Sequence, residues 1–107
     1  MTIAELKKLL EKSGLPVAYR QFEQDEDVTL PFITFFRETD DNIPADDKVY
    51  KKIHNCRIEL CTALKNLVLE NTLEQLFDEN EIFYEADETY IEDEKMYMIV
   101  YDIQILE

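Results

Sequence analysis

His54 and Cys56 are the first pair in this sequence whose types and spacing could do chemistry. They stand two residues apart in a stretch that alternates apolar and polar, so on a strand both would face the same way. Imidazole and thiolate on one face would be two metal ligands, but zinc takes four protein groups, or three and a water. Cys61 would point to the opposite face, and there is no second histidine. A metal centre is therefore not expected, and His54 reads as a partly buried strand residue. The same geometry separates the thiols. At about 3.3 Å per residue Cys56 and Cys61 lie roughly 16 Å apart, beyond the ~7 Å that a disulfide allows between Cα atoms. Both are expected as reduced, packed thiols.

Carboxylates are the other reactive class. Asp25, Glu26 and Asp27 form one cluster; Asp40, Asp41, Asp46 and Asp47 form another. A calcium loop alternates its ligands and turns on a glycine, and neither cluster does so. Gly14 is the only glycine, whereas phosphate-cradling loops, dinucleotide fingerprints and the serine elbow each need several. Ser13, the sole serine, has no histidine near it in sequence. Glycoside chemistry would need a sugar cleft between its two acids, and nothing here supplies one. The reading is of a protein that is not an enzyme, with no cofactor and no metal.

Charge is more informative. The chain of 107 residues has a formal net charge of −14. Residues 1–22 are net +2, 23–47 net −8, 48–66 net +4 and 67–107 net −12. Duplex binding would need clustered lysine and arginine against phosphates, so this balance disfavours it. A basic segment between acidic ones can pair unlike edges of neighbouring subunits; acidic faces that merely keep a small protein soluble remain the alternative. The charge changes sign within Asp40–Lys52, where four aspartates and Pro44 run into Lys48, Lys51 and Lys52. Such a stretch is poor core material and good contact material.

The elements that would hold these residues follow from periodicity. Thr2 and Glu5 make a capping box, and Ile3, Leu6, Leu9 and Leu10 form one apolar helical stripe. Gly14 and Pro16 end that helix. Strands are expected over Val17–Phe22 and Phe32–Glu38, with an acidic turn, Glu23–Thr29, between them. A loop over Thr39–Asp47 leads to a third strand, Lys48–Thr62, with Cys56, Ile58 and Leu60 facing the core and Asn55, Arg57 and Glu59 facing out. A second helix, Asn66–Glu79, is capped by Asn66 and ended by a left-handed Asn80. If Asp93 and Glu94 are the central residues of a two-residue hairpin, Tyr90 opposes Tyr97, Ala86 opposes Tyr101, Tyr84 opposes Ile103 and Ile82 opposes Ile105. These paired tyrosines read as core, since base-stacking platforms come with basic residues. The fold class expected is α+β, an antiparallel sheet with two helices on one face in the order α-β-β-β-α-β-β, forming a single domain over 1–107. No apolar run approaches the ~20 residues of a membrane span, and the N-terminal stretch has no secretory pattern. The expectation is a soluble intracellular protein.

Several stretches together resemble a known family. They are the opening helix ending in Gly14-Leu15-Pro16-Val17-Ala18-Tyr19, then Leu30-Pro31-Phe32-Ile33-Thr34-Phe35-Phe36, the loop Asp41–Lys52, Ile58-Glu59-Leu60-Cys61-Thr62, and Glu88–Tyr97. The chain is similar along nearly its whole length to the tail-completion and tail-terminator proteins, also called head–tail joining proteins, of long-tailed phages and prophages. The resemblance implies a virion structural protein. It would cap the head-proximal end of the tail tube as a homo-oligomeric ring, typically a hexamer, and meet tail-tube and head-connector proteins. DNA would pass through the ring without being specifically bound, no membrane is involved, and the protein would move from host cytoplasm to virion. By position, Asp40, Asp41, Asn42, Asp46, Asp47, Lys48, Lys51 and Lys52 would be its contact or lumen-facing element. The acidity supports a second reading, a prophage-encoded DNA mimic or host-factor-binding inhibitor.

Overall fold

In the computed structural model, which describes residues 1–23 and 28–107, the capping box forms as its residues demand. The Glu5 amide donates to Thr2 Oγ1 at 3.1 Å, and the Thr2 amide to Glu5 Oε1 at 2.9 Å. Helix α1 runs Ile3–Glu11 and buries Leu6, Leu9 and Leu10. Wholly buried leucines such as Leu6 and Leu10 each contribute on the order of 1.5–3 kcal/mol. Gly14 takes φ +85°, the left-handed conformation that lets the chain leave the helix. The cluster Asp25, Glu26 and Asp27 lies outside the described residues, and with it much of the turn expected at Glu23–Thr29.

Strand β1 is Val17–Tyr19, shorter than expected because Arg20 adopts φ 67° and turns the chain away. Strand β2, Phe32–Asp40, lies parallel to β1, with Val17 opposite Ile33. The sheet is thus mixed and not wholly antiparallel. The physical reason is the connection: residues 20–31 are about the dozen that a parallel crossover needs, where a hairpin needs only two.

The expected loop over 39–47 and the start of the expected third strand are also corrected. Ile43–Ala45 forms β3 and Lys48–Lys51 forms β4, a separate two-stranded hairpin, and the long strand begins afresh as β5, Ile53–Thr62. Asp46 and Asp47 take φ 51° and 63° at the turn, as a type I′ hairpin requires at both central positions.

Helix α2 covers Leu67–Glu79, with Asn66 Oδ1 capping the Leu69 amide at 3.1 Å. Its left-handed residue is Glu81 (φ 55°), whereas Asn80 is at φ −104°. The Ile82 amide reaches back to the Phe77 carbonyl and the Glu81 amide to Asp78. These are the two bonds of a Schellman cap, and Ile82 is thereby drawn out of the strand pairing expected opposite Ile105. Strands β6, Tyr84–Ile91, and β7, Met96–Leu106, pair in the expected register, Tyr90 opposite Tyr97 and Ala86 opposite Tyr101. Asp93 and Glu94 are central in the turn that the Lys95 amide closes onto the Glu92 carbonyl, but the pairing ends at Ile91 and Met96 and Lys95 takes φ 51°, so the connection is four residues long and not two.

The main sheet has the order β1-β2-β5-β7-β6, and the element order is α-β-β-β-β-β-α-β-β. Both helices pack on one face, over Ile33, Phe35, Cys56, Ile58, Leu60, Tyr101 and Ile103. Tyr84 and Tyr101 lean on Phe77 and send both hydroxyls to Glu74 of α2, at 3.1 and 2.8 Å. Tyr90 departs from the core expectation, being 47% exposed on the far part of the hairpin. On the helix-free face, Phe22 packs edge-on against Phe32, Arg20 lies 4.6 Å over the Phe36 ring, and Cys61 is buried. Both cysteines are free thiols. No helix among the described residues is long and apolar enough to cross a membrane.

Candidate functional site

The hairpin β3–β4 stands apart from the five-stranded sheet, and every residue in it is exposed. An isolated two-stranded hairpin is marginal in water, so its root must be held by something else. Asp41 donates its amide to the Ile53 carbonyl, and the Ile53 amide is capped by Asn42 Oδ1 at 3.2 Å. Asn55 Nδ2 donates to Asp41 Oδ2 at 2.8 Å and is itself backed by Gln104, whose Nε2 donates to Asn55 Oδ1 at 2.8 Å. Lys52 exchanges backbone hydrogen bonds with Glu107.

The strongest link is His54. It is 2% exposed, and it sits between two carboxylates: Nδ1 is 2.7 Å from Asp40 Oδ1 and Nε2 is 2.7 Å from Glu107 Oε2. Each carboxylate can only accept, so both ring nitrogens must donate, which makes the ring an imidazolium. The hydrogen bond to Asp40, then that to Glu107, pushes the His54 pKa up against the opposing effect of burial. The same bonds hold the carboxyls of Asp40 and Glu107 below their ordinary range. Asp40 is the last residue before the arm and His54 lies just after it. The ion cluster therefore ties together the two strands from which the arm departs.

The candidate residues consequently fall into three groups. Asp40, Asp41, Asn42 and Lys52 are at the root, Asp46 and Asp47 are at the tip, and Lys48 and Lys51 are on the returning strand. The four aspartates, one cluster in the sequence, are split between root and tip. Among the described residues no group of three or more His, Cys, Asp and Glu side chains is placed to hold a metal ion. Between the charged positions the arm displays Ile43, Val49 and Tyr50, the last 76% exposed.

A second feature lies on the helix-free face: a concavity of about 590 Å³ whose lining includes Glu38, Glu81, Glu85, Asp102, Phe83 and Leu106. Phe83 is 78% exposed and Leu106 nearly half exposed. The groove's four acids are exposed too. Sequence reasoning missed both this groove and the His54 cluster. Asp40 and Glu107 are 14 and 53 residues from His54, beyond what local spacing can reveal. The groove left one legible trace: Phe83, just before β6, and Leu106 of β7 are apolar on the side where Glu85, Asp102 and Gln104 are polar. No protein-family model matches the chain, and no curated protein matches it.

Proposed function

We propose that this protein is a virion structural subunit that completes the tail tube of a long-tailed phage or prophage. In this reading it joins the tube to the head connector as a ring of identical copies, a hexamer in the assembled tail. The observation that carries the reading is the clamped arm. Ile43, Val49 and Tyr50 are held out in water on a hairpin whose root is fixed by the His54 cluster, and apolar side chains so placed suit contact with another chain. Leu64, Leu67 and Val68, exposed around the start of α2, offer a second contact surface. A net charge of −14 suits a lumen that DNA traverses without sticking. A DNA mimic would instead display its acids along a convex face, and four of the acids here line a concavity.

The test is to add the purified protein to tail tubes assembled without it and to image them by electron microscopy. Rings at one end and tubes of fixed length are expected. Tube ends that stay bare, or a gene deletion that still yields normal infectious particles, would sink the reading.

A further inference from the structure

The arm and the groove carry opposite charge at two different places on one chain. Lys48 and Lys51 of β4 have no ion-pair partner among the described residues, and Lys52 follows them. Side chains alternate along a strand, so Lys48 shares a face with Tyr50, and Val49 with Lys51. Each face of β4 thus offers one apolar group and one cation. The groove offers the converse: Glu38, Glu81, Glu85 and Asp102, without ion-pair partners among the described residues, around exposed Phe83 and Leu106.

We infer that the arm of one copy seats in the acidic groove of the next, with Lys48, Lys51 and Lys52 against the four carboxylates and Tyr50 against Phe83 and Leu106. The inference rests on the ring reading above and names the surface through which neighbouring copies touch. A second copy is the occupant because one chain supplies both halves of the match: the arm joins lysines to exposed Val49 and Tyr50, and the groove joins four carboxylates to exposed Phe83 and Leu106. The contact is heterologous, head to tail, so its rotation decides whether copies close into a ring or run on as a filament. The structure contains a device that sets that rotation. Asn55 and Gln104 line the groove and, with Asp41, form the arm root. The angle between what a copy gives and what it receives is therefore fixed within one hydrogen-bonded cluster.

The experiment uses two charge-reversed full-length proteins. One carries Lys48→Glu and Lys51→Glu; the other carries Glu38→Lys, Glu85→Lys and Asp102→Lys. Alone, each sets like charge against like and should self-associate about tenfold or more weakly than wild type in sedimentation velocity. Mixed in equal amounts, every arm meets a groove of opposite sign in the other variant, and association should return as an alternating oligomer. Circular dichroism of each variant checks folding. In an otherwise unchanged chain, Tyr50→Cys mixed with Phe83→Cys should give a disulfide-linked pair under mild oxidation. Wild-type rings with undiminished association of either variant, or a mixture that fails to recover, overturn the arm–groove contact and leave the ring reading standing. An arm variant that self-associates normally but no longer binds tubes assigns the arm to the tube, with the same consequence. Wild-type protein that never associates, even on tail tubes, overturns both.

Discussion

Replacing His54 by alanine tests the reasoning about the arm root most directly. The side chain is buried and makes two charge-assisted hydrogen bonds of 2.7 Å. Bonds to charged groups are worth about 1.5–3 kcal/mol each. The low end applies because the Asp40 and Glu107 side chains are 27% and 37% exposed, so water can replace the lost donor. His54→Ala should therefore cost about 3 kcal/mol, a fall in Tm of roughly 12–24 °C for a domain of this size. The pH dependence carries more information than the magnitude. The histidine's folded pKa is raised, so its contribution is complete below the ordinary value of about 6.5 and is lost as pH climbs through the raised value. Asp40 and Glu107 have lowered folded pKa values, so theirs is complete above the ordinary carboxylate values and is lost as pH falls through the lowered ones. Arg37, Lys52 and the N-terminal amine are the other charges acting on the two carboxylates, and all three favour the ionised state. The stability difference between wild type and variant should thus form a plateau from about pH 5 to above 6.5 and fall on both sides. The chain has no tryptophan, so urea unfolding is followed by circular dichroism at each pH. A difference that grows between pH 7 and 9, or a His54 resonance titrating at or below 6.5, would refute an imidazolium held between two carboxylates.

Other outcomes follow from the same geometry. Glu74→Ala leaves the hydroxyl of fully buried Tyr101 without its acceptor and should cost about 1–3 kcal/mol; adding Tyr101→Phe should recover part of that loss in a double-mutant cycle. Asp46→Asn with Asp47→Gly puts the Asn-Gly pair that a type I′ turn favours where two aspartates now hold positive φ, and should stabilise the hairpin by about 1 kcal/mol. Slower amide exchange across β3 and β4 reports it, and unchanged exchange argues against the I′ turn. Burial pushes the Cys56 thiol up to about 11 and the Cys61 thiol up to about 12. Neither should react with an aromatic disulfide reagent at pH 7 until urea unfolds the chain, and prompt labelling of the native protein would contradict their burial.

The features legible in sequence were those set within a few residues. The Thr2–Glu5 box, the Gly14 terminator, the Asn66 cap and the alternation of Cys56, Ile58 and Leu60 are local patterns with local causes, and they formed as read. The β6–β7 register was also recoverable, because a slip of one residue would have turned Tyr84 and Tyr101 away from α2. The direction of β1 was not, since a strand of either sense shows the same alternation. Nor was the arm: Asp46-Asp47 lacks the asparagine and glycine that announce a type I′ turn, and Pro44 discourages a strand reading. The left-handed position after α2 went to Glu81 because the carbonyl acceptors at Phe77 and Asp78 set the cap, over the better intrinsic preference of Asn80. The candidate loop drew notice through its charge, while the groups that hold it, His54 and Glu107, are placed there only by the sheet.

The net charge that suits a DNA channel also works against any ring, and salt separates the two effects. Two copies of charge −14 with centres about 30 Å apart, the middle dimension of the molecule, repel by roughly 27 kcal/mol in unscreened water. At 0.01 M salt the Debye length of ~30 Å leaves about a third of that; at 0.15 M, ~8 Å leaves well under 1 kcal/mol. Lysine–carboxylate contacts at about 4 Å lie inside the Debye length until salt nears ~1 M. Self-association through arm and groove should therefore be weak at 0.01 M, strongest near 0.15 M, and weak again toward 1 M, as followed by sedimentation velocity. A steady rise in association to 1 M would mean that the contact is apolar and the lysines idle. A steady fall from the lowest salt would mean that the acidic bulk of neighbouring copies never comes close, which a ring of this small subunit does not permit.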